Sequence, residues 1–426
     1  MNLKQITIAS LLLSSVSFGA SIDLIQNYSA EYGGNPAQQG AINYGSTVYF
    51  NPAGLSQLEQ GTYFVGGVQV AFGEQSMTNG KKYDADLFSP IPNFAVYKVI
   101  DDGAYFWTLG AVAGGATLEY KEGIPLDGME KMLQGTNVKG GNQYAQTTIG
   151  RTWKVNEKLS TSLGLRAVYG MRNLEARTSF KDGSTIRIPN IPFPGDLKGD
   201  ASVDSERTGY GFGFQLGLNY KASEKLNLGL RYDSQVNMNF KTKATINDNS
   251  SLSVMGNTIV PDFISSTLLE KFPMYKPNEK IRRDLPAILA LGASYKVTDK
   301  WTTFVGGNYY FNEDAKMDRV GKDSKKYEYD NGWEISLGSE YWINDKFAWL
   351  VGANYADTGA PKDTFSQTEY AINSIFVGTG IKYRQNETTE WTVAYNHYFY
   401  EDTTGNNNIE YKKDIKSIGF NFVKKF

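Results

Sequence analysis

The stretch Tyr210-Gly211-Phe212-Gly213-Phe214-Gln215-Leu216-Gly217-Leu218-Asn219-Tyr220 decides the fold class of this chain. Every second residue is apolar or aromatic, and those between are glycine or an amide. A repeat of two belongs to a strand, whose side chains point alternately to opposite faces. Tyrosine closes the apolar row at both ends. The apolar face of a soluble sandwich has no reason to end on rings, whereas in a membrane barrel those ends lie at the two lipid–water interfaces that amphipathic rings favour. The next segment repeats the scheme, with Leu226, Leu228, Leu230 and Tyr232 opposite Asn227, Gly229, Arg231 and Asp233. Phe347, Trp349, Val351, Ala353 and Tyr355 do so again.

Working outward, the same alternation recurs almost to the last residue, in about fourteen segments. They span 62–72, 93–99, 104–120, 143–154, 159–177, 207–221, 225–242, 284–297, 301–312, 331–343, 347–356, 371–383, 391–400 and 413–426. Short connections (100–103, 155–158, 222–224, 298–300, 344–346 and 384–390) alternate with long ones, among them 243–283 and 401–412. Short turns on one side and long loops on the other mark an outer-membrane barrel, and an even strand number lets both ends lie in the periplasm. The expected fold is therefore all-β, a transmembrane antiparallel β-barrel of about 14 strands.

Composition agrees. The 426 residues include 44 glycines, 28 tyrosines, 23 phenylalanines and 7 tryptophans, which favour strands and turns. Mean hydropathy is −0.41, and no apolar run long enough for a membrane helix follows the amino terminus. Alternating barrel strands give such an average. The balance of 43 basic and 45 acidic residues leaves no electrostatic footprint for nucleic acid. With no cysteine and one histidine, thiol chemistry, zinc–thiolate sites and two-histidine metal motifs are excluded. That histidine, His397, lies among Tyr395, Tyr398 and Phe399 on a strand, a setting for an interfacial side chain rather than a catalytic base. No enzyme, cofactor or metal is expected.

Three domain-level segments follow. Residues 1–19 have the parts of a secretory signal: Lys4, an apolar stretch from Ile6 to Val16, then Ser17 and Gly19 at the small-residue cleavage positions, making Ala20 the first mature residue. Residues 20–61 are too long for a simple tail and too aperiodic for a separate domain, so they are either a hatch plugging the lumen or a periplasmic tail. Residues 62–426 form the barrel. Its last strand alternates Ile418, Phe420 and Phe422 and ends on Phe426, similar to the terminal signal that barrel assembly machinery reads.

The long connections carry apolar residues that an aqueous pore does not need. Phe263, Ile264, Thr267, Leu268, Leu269 and Phe272 have helical spacing after Asp262, a candidate N-cap. Leu126, Met129, Met132 and Leu133 form a second set, and Ile186, Ile188, Ile191, Phe193 and Leu197 a third. These sets either pack on one another or form a groove that collects hydrophobic molecules.

With these features in place, the mature chain resembles the FadL/TodX-type outer-membrane transporters of long-chain fatty acids and other hydrophobic compounds. The most specific match is Asn51-Pro52-Ala53-Gly54, similar to the Asn-Pro-Ala motif of that family's hatch. Further matches are Pro92-Asn93-Phe94, Leu165 to Tyr169, Gly209 to Gly213, Leu285-Pro286 and Asp357-Thr358-Gly359-Ala360-Pro361. The resemblance implies a monomer among outer-membrane lipids that takes up a long-chain fatty acid or similar molecule without breaking a bond. It implies capture between outer loops, a deeper pocket, gating by Asn51, Pro52 and Ala53, and sideways exit beside a kinked third strand, here carrying Gly110, Gly114 and Gly115. Of the family's carboxylate-binding pair, Lys325 falls on the basic position before the tenth strand. The partner arginine falls on Ala176; Arg177 serves if the register slips by one, and Arg172, on lumen parity, is the other candidate. Lumen-side Arg166, Arg231, Glu334 and Glu340 are expected to brace the wall. A general aqueous porin and a loop-displaying adhesin are the alternative readings.

Overall fold

The computed structural model describes residues 29–125, 129–271, 273–317, 329–367 and 370–426. Its strands, in chain order, are β1 (Gly61–Asn79), β2 (Lys81–Ile100), β3 (Gly103–Tyr120), β4 (Leu133–Lys154), β5 (Leu159–Phe180), β6 (Thr185–Ile186), β7 (Gly195–Lys198), β8 (Asp200–Lys221), β9 (Leu226–Asp233), β10 (Asn239–Asp248), β11 (Ser251–Val254), β12 (Asn257–Pro261), β13 (Lys280–Arg282), β14 (Ile288–Lys296), β15 (Trp301–Tyr310), β16 (Gly332–Trp342), β17 (Phe347–Asp357), β18 (Ser374–Asn386), β19 (Thr389–Tyr400), β20 (Thr403–Thr404) and β21 (Glu410–Lys425). Among the described residues three α-helices accompany them: α1 (Ala30–Gly34), α2 (Thr47–Phe50) and α3 (Phe263–Lys271).

Seventeen of the strands form one antiparallel sheet that closes on itself, β1 pairing with β21 from Tyr63↔Lys425 to Thr78↔Glu410. The barrel has 14 staves, because β9 with β10, and β13 with β14, each continue one stave across a break, and β20 is a short addition beside β21. Closure gives every stave a neighbour on both sides, so the sheet has no free end strand in the hydrocarbon, where water cannot satisfy one. The decisive stretch behaves as its alternation requires: Tyr210 is 72% exposed and Phe212, Phe214, Leu216, Leu218 and Tyr220 also face outward, while Gln215 and Asn219 are buried inside. Rings end the outward rows of neighbouring strands, as with Trp301, Tyr341 and Trp349 in adjoining register. The indole N–H groups of Trp301 and Trp349 donate to the hydroxyls of Ser339 and Thr379, both at 2.8 Å, so these rings enter lipid with their polar atoms satisfied.

The connection between the first two strands departs from expectation. Instead of a long loop, β1 and β2 run on as a hairpin that turns at Gly80 (φ 71°). Toward its tip the outward residues of this extension, among them Glu74, Lys82 and Asp84, are polar, whereas Phe88 nearer the barrel is still apolar, so the apolar alternation stops short of the tip although the backbone pairing does not. For the same reason β4 begins at Leu133 and β10 ends at Asp248. Above the barrel, β6, β7, β11 and β12 make a separate four-stranded sheet.

Candidate functional site

Residues 29–58 fold inside the barrel. Ser29 caps α1 through its hydroxyl, which accepts from the Tyr32 N–H; Tyr32 stacks on Phe50 of α2 at 5.3 Å and tilts against Phe376 of the wall. Pro52 begins a 3-10 turn (Pro52–Gln57), where its missing N–H costs no hydrogen bond. Around this turn the wall holds the plug by its backbone. Thr152 donates to the Pro52 carbonyl (2.7 Å), Ser160 to the Ala53 carbonyl (2.6 Å) and Arg231 to the Tyr49 carbonyl (2.7 Å). The Asn51 amide donates to Asn219 at 2.7 Å, and Asn219 and Asn227 are themselves hydrogen-bonded. Glu31 accepts from Thr392 and Asn421.

A second contact lies along residues 33–40. They cross six consecutive staves where each presents a glycine to the lumen: Gly33 faces Gly378, Asn35 and Pro36 face Gly352, Asn35 also faces Gly338, and Gln39 faces Gly306, Gly292 and Gly229. Gly229, Gly292 and Gly306 are in direct register, as are Gly338, Gly352 and Gly378. A Cβ on Gly352 would stand 2.6 Å from Pro36 Cδ. The plug thus lies in a shallow track that side chains would fill.

The third strand is irregular in its pairing near Gly110, Gly114 and Gly115. The β2–β3 ladder runs from Ile100↔Gly103 to Asn93↔Gly110 and stops at Gly110. Beyond it β3 pairs with β4 alone, through irregularities between Ala111 and Ala113 and between Gly115 and Leu118, and Gly114 sits at φ 118°, a conformation glycine adopts without steric cost. Leu87 and Ile91 of β2 and Ala111 and Ala116 of β3 belong to one buried cluster on the inner side of this unpaired stretch.

The apolar loop sets meet. Leu133, Phe180, Leu197, Leu252 and Ile264 form a buried cluster with Met129, Met132, Ile186, Ile188, Phe263 and Leu268 against it. The orphan N–H groups at the start of α3 are capped from another loop: the Ser250 hydroxyl accepts from the Ile264 N–H (2.8 Å) and Asp248 from the Ser265 N–H (2.7 Å). Asp262, the expected cap, contributes only its carbonyl, which accepts from Ser266. Beneath α3 lies a cavity of about 180 Å³, walled by Leu133, Leu174, Val203, Ile264, Leu268, Leu269 and Tyr275. The apolar sets thus pack on one another and leave this cavity between them. Leu126 and Phe272 lie outside the described residues.

Tyr275 leads from this cavity to the cations. Its ring lies 5.0 Å from the guanidinium of Arg207, which is 6% exposed. Arg207 stands directly opposite Arg172, whose Nη1 donates to the Tyr144 hydroxyl at 3.1 Å. Among the described residues Arg207 has no carboxylate within ion-pair distance, and its Nε is buried without a hydrogen-bond partner. Like charges opposed across two strands repel, a cost that an anion beside Arg207 would lessen. Ala176 pairs with Val138 and Val203, and Arg177, although exposed, also lines the cavity, beside a register irregularity between Gln134 and Asn137 of β4. Lys325 lies outside the described residues. Arg207 escaped the sequence reading because its merit lies in standing across from Arg172, which only strand register reveals.

The expected braces are bonded within the protein. Arg166 donates to Gln146 and the Ser234 carbonyl, Glu334 accepts from Asn308 and Tyr310, Glu340 pairs with Lys382 at 2.8 Å, and Arg231 ties the plug. His397 sits on the outer surface, 2.6 Å from Asp414.

Residues 10–422 match the family described as outer membrane protein transport protein (OMPP1/FadL/TodX). Over 61% of the chain the sequence is 24% identical to the long-chain fatty acid transport protein of Escherichia coli O6:H1 (strain CFT073), and over 41% it is 28% identical to outer membrane protein P1 of Haemophilus influenzae. These alignments span 60% and 37% of the two relatives' own lengths. In fold, 95% of the chain superposes on all of a Pseudomonas aeruginosa FadL homologue with a TM-score of 0.71 at 13% identity. Likewise 93% superposes on 98% of the P. putida toluene transporter TodX with a TM-score of 0.63 at 15% identity. With a profile match over nearly its whole length and a closed 14-strand barrel, the chain belongs to the OMPP1/FadL/TodX family of outer membrane protein transport proteins.

Proposed function

We propose that the barrel takes up long-chain fatty acids or similar anionic amphiphiles passively. The loop cavity receives the tail, Arg172 and Arg207 receive the head group, and the ligand leaves sideways above Gly110 as the plug yields. The observation that carries this reading is the adjacency of a largely apolar cavity to a buried arginine that has no carboxylate among the described residues, with Tyr275 as the wall between them. Burying an acyl chain releases about 0.8 kcal/mol per CH₂. A carboxylate between two guanidiniums gains short charge-assisted hydrogen bonds and relieves their repulsion. The name of the E. coli relative, a long-chain fatty acid transport protein, agrees with this ligand class.

The exit follows from the hydrogen-bonding of the wall. Elsewhere a tail would have to part paired strands, but beyond Asn93↔Gly110 no β2–β3 pairing remains to be broken. Gating is assigned to the plug because it fills the lumen below the cavity, and Asn51, Pro52 and Ala53 are the points at which the wall grips it.

The test is binding of labelled oleate to the purified barrel in detergent. Arg207→Met and Arg172→Met should each weaken binding at least tenfold, the loss of one charge-assisted hydrogen bond, while oleyl alcohol binding stays unchanged. Oleate affinity unaltered in both variants would remove the arginines from the site.

A further inference from the structure

A second cation faces the lumen on another part of the wall. Lys413 of β21 points inward between buried Tyr411 and Ile415. Its ammonium donates to the Tyr370 carbonyl at 2.9 Å and lies over two rings, 4.6 Å from the centroid of Tyr370 and 5.6 Å from that of Tyr400. Among the described residues it has no carboxylate within ion-pair distance, although its neighbours on the strand do: Lys412 pairs with Asp402 and Glu410, and Lys416 with Asp414. The Tyr400 hydroxyl is buried and, among the described residues, has no hydrogen-bond partner. A cation held by two ring faces and one carbonyl still has donors to give, and a buried hydroxyl without a partner is a cost that something usually repays.

The surroundings supply the rest of a site. Tyr400 packs against the cluster that contains Leu87 and Ile91 of β2, Ala111 and Ala116 of β3, Phe376 and Ile415, with Leu118 beside it. That cluster includes residues from both sides of the unpaired β2–β3 stretch. From Lys413 an apolar surface therefore leads to the place where the wall ladder has stopped.

We propose that Lys413 and Tyr400 form a second head-group station, on the exit side, for the anionic end of an amphiphile whose tail lies along this surface toward the unpaired stretch. The proposal rests on the uptake reading above and adds a step to it: the carboxylate passes from the arginine pair to Lys413 before the tail leaves. Lys413 contributes the charge, Tyr400 donates a hydrogen bond, and Tyr370 positions the ammonium. A hydrophobic compound without an anionic group would pass the station without stopping.

Equilibrium dialysis of carboxyl-¹³C oleate against the purified full chain, with the bound carboxylates followed by NMR, tests the two stations separately. Wild type should hold two classes of oleate. Lys413→Met should abolish one and leave the other, Lys413→Arg should keep both, and Tyr400→Phe should weaken the Lys413 class roughly tenfold. Arg172→Met with Arg207→Met should abolish the opposite class. Heat-modifiable migration in gels confirms that each variant is a folded barrel. Two unchanged classes in Lys413→Met, or a single class in wild type lost with the arginines, overturns the second station and leaves the arginine reading intact. Loss of all oleate with Lys413→Met and none with the arginine variants removes the arginine station instead.

Discussion

Gly352→Ala probes the seat of the plug. The new methyl would stand 2.6 Å from Pro36 Cδ, 2.8 Å from the Leu337 carbonyl and 3.1 Å from Asn35 Cα. Carbon atoms rest at about 3.5–4.0 Å, so Pro36 must retreat by about 1 Å. The wall cannot yield equally, because β17 is paired on both sides along its length. Overpacking of this kind costs about 1–3 kcal/mol. Borne by the seated plug alone, it raises the population of the unseated state about 5- to 150-fold. In planar bilayers Gly352→Ala should open far more often than wild type, while heat-modifiability and circular dichroism remain those of the intact barrel. A closed baseline equal to wild type, together with a crystal structure in which Pro36 has not moved, would refute the claim that the glycine track holds the plug shut.

Three further outcomes are expected. Asn51→Ala removes the 2.7 Å bond to Asn219 but spares the carbonyl contacts of Pro52 and Ala53, so it should unseat the plug by about 1 kcal/mol, less than Gly352→Ala, as read by open probability. Partial burial by itself would raise the Asp248 carboxyl, but hydrogen bonds from Ser250 and Ser265 outweigh it and hold the group below its usual value. A depressed carboxylate stabilises α3 above the ordinary pKa and loses that contribution as pH falls, so hydrogen exchange of 263–271 should quicken below about pH 4, and Asp248→Asn should flatten that dependence. Leu337, 61% exposed on the lipid face, should cost about 2–4 kcal/mol of barrel stability as Leu337→Lys in a urea titration from liposomes.

The alternation in the sequence is enough for the barrel, because lipid on one side and plug on the other impose a repeat of two on each strand. It marks the membrane edge rather than the strand end, which is why Glu74 and Asp84 read as loop and fold as strand. Asn51-Pro52-Ala53 was likewise legible, since a proline opening a turn and a side-chain amide are local features. Arg207 was not, because its neighbours Arg172 and Tyr275 lie 35 and 68 residues away along the chain and meet it only through strand register and a returning loop. Asp248 and Ser250 cap α3 from a different loop, so the local rule that favoured Asp262 named the wrong side chain.

The sequence by itself thus determined what each strand shows to lipid, how many strands close the ring, and that thiol and two-histidine chemistry is absent. Only the tertiary structure decided which residues act together: six glycines become a track because a plug segment crosses them, and Arg172 and Arg207 become a pair because two staves align. Facing is a local property fixed by the geometry of one chain segment, whereas adjacency across a barrel depends on the shear between strands, which no single strand encodes.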